Sequence, residues 1–95
     1  MPHTRGISVR ERMRVEFAEA DVEIGFLLAD MAEAEACVGN YAKAARILAD
    51  ADEVFLDLEQ ILQKLGIRQR VPFEPLMEEL RRVIDLVKLH IPSPQ

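Results

Sequence analysis

Residues 41–66 read YAKAARILADADEVFLDLEQILQKLG, and this stretch decides the fold. Tyr41, Ala44, Leu48, Ala51, Phe55, Leu58, Leu62 and Leu65 advance by alternate steps of three and four, the period of one helix face. Ile47, Val54 and Ile61 widen that stripe. Gly66 stands where a helix stops, so the pattern predicts a helix over 41–65.

Working toward the N-terminus, Gly39 supplies a left-handed stop and Asn40 a cap for the helix that follows. Ser8 followed by Glu11 is a capping box, so an earlier helix is expected to begin at Val9 and run to about residue 37. Its helical stripe is Met13, Phe17, Ala20, Ile24, Leu27, Leu28 and Met31, which we take as its core face. Toward the C-terminus, residues 67–72 read as a loop with Arg68 and Arg70. Pro75 suits the first turn of a third helix over 74–90, with Phe73, Leu76, Leu80, Val83, Ile84 and Val87 facing inward. Lys88 and His90 suit its C-terminal end, and Pro92 and Pro94 close the chain. No segment alternates as a strand does. The fold class is therefore all-α, a three-helix up-down-up bundle with a long N-terminal hairpin and a shorter third helix. It is expected to form one domain over residues 1–95, with flexible tails at 1–8 and 91–95.

Composition agrees with one small globular domain. The chain has 95 residues, 49% of them hydrophobic and 31% charged, with a formal net charge of −5. That hydrophobicity excludes a disordered chain, and a lone Cys37 excludes an internal disulfide framework. The acidic balance argues against nucleic acid or an anionic membrane as partner. No run approaches the ~20 apolar residues of a membrane span, and no apolar segment of a signal peptide follows the N-terminus, so a cytoplasmic location is expected.

Nine of the eleven alanines lie between Ala29 and Ala51, on both sides of the Gly39–Asn40 turn. Small residues allow close approach of two backbones, so the hairpin tip should pack tightly. The run Gly39-Asn40-Tyr41 with Ala44, Leu48 and Ala51, preceded by Leu28, Met31 and Ala32, resembles the central spacing of tetratricopeptide repeats. It is also similar to the central turn of microtubule-interacting-and-transport domains. Glu35 departs from the repeat pattern, where an aromatic is usual, and Leu56 stands where a Pro is expected. The resemblance covers residues 28–51 and implies a non-catalytic helical module that binds partner peptides or helices.

Charges are segregated along the chain. Residues 1–14 carry net +3, whereas residues 15–42 hold seven carboxylates and no base. Such a strip is either a solvated face, a docking strip for a basic partner, or a contact for the Arg10, Arg12 and Arg14 of a second copy. Glu16, Glu19 and Glu23 share a helix face and form the one row that suggests a metal-binding or enzymatic bundle. Di-iron bundles, however, need Glu-x-x-His elements, and the only histidines are His3 and His90, neither three residues after a Glu. Cys37 has no nearby His and reads as a packed residue. No metal, cofactor, catalytic group or small-molecule substrate is expected.

Apolar residues left over from the three stripes point to a surface. On the first helix Val15, Val22, Phe26 and Ala29 lie opposite the stripe assigned to the core, and on the third helix Leu86 and Leu89 do the same. The third helix, about 26 Å long, is too short to cover the hairpin tip around Leu27, Leu28, Met31, Ile47 and Leu48. The sequence thus predicts a protein-interaction module, most simply a homodimer or the receiver of a partner helix. The expected contact residues are Val15, Val22, Phe26, Ala29, Leu86 and Leu89.

Overall fold

The computed structural model describes residues 8–92 and contains helices throughout. Helix α1 spans Val9–Cys37 and α2 spans Tyr41–Gln63; a short α3 (Ile67–Arg70) and a 3-10 turn (Val71–Phe73) lead into α4 (Glu74–Leu89). Leu80 of α4 packs at Gly25, and His90 reaches Glu33, so α4 runs parallel to α1 and the three long helices go up, down and up. Among the described residues there is no strand. Most of the expected tails lie outside the described residues, but Ser8 caps α1 and Ile91 packs against the core.

Helix termini follow their side chains. The Ser8 Oγ accepts from the Glu11 N–H at 3.0 Å, closing the N-terminus of α1. The Glu11 carboxylate does not fold back to complete the box; it accepts instead from the Gly66 N–H at 3.4 Å, tying the start of α1 to the end of α2. At the hairpin tip, Gly39 N–H donates to the Ala36 carbonyl at 3.0 Å and Asn40 N–H to the Glu35 carbonyl at 2.9 Å. These two bonds make a Schellman motif, which requires the left-handed φ of +83° that Gly39 adopts. Asn40 makes no side-chain cap; its amide donates to Glu35 Oε1 at 2.9 Å.

Two boundaries differ from the sequence reading. Helix α2 ends at Gln63, and Gly66 is extended (φ −64°, ψ 161°), where it precedes α3 rather than terminating α2. Residues 67–72, expected as a loop, are helical, so the chain turns into α4 by a helical corner ending at Phe73, which is buried as expected.

The larger correction concerns α1. Its buried residues are Ala18, Val22, Gly25, Ala29, Ala32 and Ala36, and the stripe assigned to the core from sequence points outward except for half-buried Leu28. Volume explains the choice. Helices α2 and α4 present Leu48, Phe55, Leu58, Leu62, Leu80 and Ile84 to the interior, all buried. Small residues on α1 let those large ones interdigitate at the density of a protein interior. Leu80 shows this at close range: a Cβ placed on Gly25 would stand 2.8 Å from its Cδ2. Bulky Phe17 or Leu27 in that position would hold the helices apart.

Candidate protein-interaction surface

With its small face turned inward, α1 shows a row of large apolar residues outside. Met13, Phe17, Ala20, Ile24, Leu27, Met31, Ala34 and Val38 step by four and three without a break. That is the spacing of a coiled-coil seam. The five largest of the first six, Met13, Phe17, Ile24, Leu27 and Met31, are each between 43% and 58% exposed. Val15, Ala18, Val22, Gly25, Ala29, Ala32 and Ala36 form an equally regular row on the opposite side. Helix α1 therefore carries two seams, a small one used within the chain and a large one left open.

The expected contact residues divide accordingly. Val22 and Ala29 are buried in the core, and Val15 and Phe26 are half-buried against it. These four are packed within the chain and are removed from the candidate surface. Leu86 and Leu89 on α4 are exposed, the latter by 79%, but they stand as two residues without a continuing row. Met13, Phe17, Ile24, Leu27 and Met31 take the place of these four. Their signal was present in the unbroken spacing, together with the all-small composition of the opposing row.

Beside the seam, one flank of the hairpin is open. The Lys43 ammonium pairs with Glu35 at 3.4 Å, which brings the flank of α2 bearing Lys43 next to that of α1 bearing Glu35. At about 100° per residue, Lys43 shares its flank of α2 with Ile47, Val54, Asp57 and Ile61. Ile47, Val54, Ile61 and Leu28 of α1 are half-buried. Helix α4 lies on the other flank, where Arg81 reaches Asp52 at 2.9 Å and stacks over Phe55 at 4.6 Å, and Lys88 meets Asp52 at 3.2 Å.

Acidic residues rim the seam. Glu16, Glu23 and Asp30 follow one edge; Asp21 and Glu35 follow the other, which begins with Arg14. Glu35 titrates below the ordinary carboxylate value because the Asn40 amide and Lys43 favour its ionised form. Asp21 is pushed the other way, by partial burial and then by the negative charge of Asp57. A carboxyl raised on folding opposes the folded state above its unfolded titration range, and that opposition fades as pH falls through the folded value. Asp21→Asn is therefore expected to raise stability at neutral pH and to lose its advantage below the titration range of Asp21. Denaturant melts at pH 7 and pH 3 check this; an advantage that persists unchanged at pH 3 would assign it to something other than charge.

The other candidates stand apart from one another. Glu16, Glu19 and Glu23 are exposed along α1, and among the described residues no group of three His, Cys, Asp or Glu side chains is placed to hold a metal ion. His90 faces Glu33 at 3.0 Å, Cys37 is an exposed free thiol, and His3 lies outside the described residues. A shallow cleft between α2 and α4 has Phe55, Leu62 and Met77 in its lining, with arginines and carboxylates mixed along its rim. No described helix is long and apolar enough to cross a membrane. No protein-family model matches the chain, and comparisons with curated proteins and with solved structures give no significant match.

Proposed function

We propose that this chain is a non-catalytic helical protein-interaction module that presents the outward seam of α1 to a helix of another chain. The observation that carries the reading is the unbroken apolar row from Met13 to Met31, half-exposed on a helix whose other face already holds the fold together. Single apolar residues on a surface are ordinary, but a continuous row about 27 Å long is the geometry of helix pairing. Fully burying a side chain of this size contributes about 1.5–3 kcal/mol, so completing the burial of five half-exposed ones would supply roughly 1 kcal/mol each. The similarity of residues 28–51 to peptide-binding helical hairpins supports the same class of function.

Site-specific photo-crosslinking distinguishes the surfaces. A photoreactive residue at Leu27 is expected to give a discrete adduct in the native cell, and one at Leu89 none. An adduct at Leu89 alone would move the interface to the outer face of α4. Adducts at neither position would refute the module reading. An adduct of twice the chain mass at Leu27 identifies the partner as a second copy.

A further inference from the structure

Resting on that reading of the seam, we infer that its occupant is a basic amphipathic helix of a different protein, with Lys or Arg on both sides of its own apolar row. Seam and rim together specify this chemistry. Between residues 15 and 42 there are seven carboxylates and no Lys or Arg. Among the described residues, Glu16, Asp21, Glu23 and Asp30 make no ion pair, so the rim charges nearest the apolar row are unneutralised within the chain. Asp21 lies close enough to Asp57 to feel its charge, and among the described residues neither carboxylate makes an ion pair. A cationic side chain arriving from above the seam would relieve that repulsion.

A second copy fits poorly. Two α1 seams paired antiparallel, with Phe17 against the other Leu27 and Met13 against the other Met31, set Glu16 opposite Asp30, Glu23 opposite Glu23 and Asp21 opposite Asp21. Paired in parallel and in register, Glu16 meets Asp21 and Asp30 meets Glu35. An antiparallel shift by one heptad in one direction gains Arg14 opposite Asp21, yet keeps Glu16 opposite Glu23 and leaves Leu27 and Met31 outside the contact. The shift in the other direction keeps the seam and gains Arg14 opposite Glu35, a carboxylate that Lys43 already pairs, but sets Glu23 opposite Asp30. Like charges facing each other across such pairs select against an orientation: they dominate the two unshifted pairings and offset the gain from Arg14 in the shifted ones. The same rim repels nucleic-acid phosphates and anionic lipid headgroups.

The test uses the full chain and three synthetic helices of about 21 residues, three heptads. One has a Leu/Ile seam flanked by Lys, the second the same seam flanked by Glu, and the third Lys flanks with the seam replaced by Gln and Ser. The first is expected to bind at least about tenfold more tightly than either of the others, and to weaken with rising salt. A chain carrying Glu16→Lys, Glu23→Lys and Asp30→Lys, all exposed positions, is expected to reverse the preference between the first two. Equal binding of the Lys- and Glu-flanked helices would overturn the basic partner while keeping the seam as an interface. So would a chain that sediments as a dimer, is not displaced by the Lys-flanked helix, and becomes monomeric in Phe17→Ser/Leu27→Ser. A monomeric chain that binds none of the three would overturn both this inference and the seam reading beneath it.

Discussion

Ala29→Leu is expected to destabilise the hairpin by about 1–3 kcal/mol, whereas Leu27→Ser, two residues away, is expected to cost about 1 kcal/mol or less. The contrast follows from the face that α1 turns inward. Ala29 is fully buried on the row that meets α2 and α4, and additional carbons there must push against Leu48, Phe55 or their neighbours in the same core. Leu27 is 57% exposed, on the opposite side of the same helix. Removing its apolar side chain loses less than half of a full burial and adds the small helix-propensity difference between Leu and Ser. Denaturant unfolding at a concentration where the chain is monomeric measures both, and equal m-values would show that the variants unfold from the same fold. A larger loss for Leu27→Ser than for Ala29→Leu would mean that the large-residue row is the inner one after all, and the open seam would vanish with it.

Residue size is also what separated the legible parts of the fold from the rest. Helix α2 was the most legible: it has a single stripe, and Ala44, Leu48, Ala51, Phe55, Leu58, Leu62 and Leu65 are all buried where expected. On α4, Leu80, Ile84 and Val87 are buried as expected, but Leu76 is 42% exposed and Met77 packs against the core in its stead. The ends were legible where a side chain or a φ angle enforces them, as with Ser8 at the start of α1 and Gly39 at the tip. Helix α1 defeated the same method because both its faces repeat at helical spacing. Ranking stripes by hydrophobic size chose the wrong one, since a helix wedged against two others is buried by what fits and not by what is most apolar. Ala18, Ala32 and Ala36 carry little apolar area, yet they are the positions at which α2 and α4 can approach. A clue was available in the partners: α2 and α4 offer mostly large residues to the core, and large faces pack well against small ones. The helical corner at 67–72 had no comparable signal, because its residues carry neither a cap nor a stripe long enough to show a period.

One consequence of this large-against-small packing can be measured as a coupling between two residues. Leu80→Ala is expected to cost about 2–5 kcal/mol, the range for truncating a fully buried Leu. Leu80 sits in the notch left by Gly25, with two side-chain carbons within 3.2 Å of where a Cβ on that glycine would stand. Gly25→Ala alone therefore combines a helix-propensity gain of about 1 kcal/mol with crowding of a comparable size, and should be close to neutral. Once Leu80 is Ala, the crowding is gone and the added methyl occupies part of the cavity. In that background Gly25→Ala should stabilise by about 1–2 kcal/mol, from propensity and the newly buried carbon. The double-mutant cycle is thus expected to give a coupling of about 1 kcal/mol or more, in the range for residues in direct contact. Strict additivity would mean that Leu80 does not enter the Gly25 notch, and that α4 docks on the hairpin by some other set of contacts. The coupling also ties the core to the surface: α4 seated at Gly25 fixes which side of α1 is inside, and so leaves Met13, Phe17, Ile24, Leu27 and Met31 facing out.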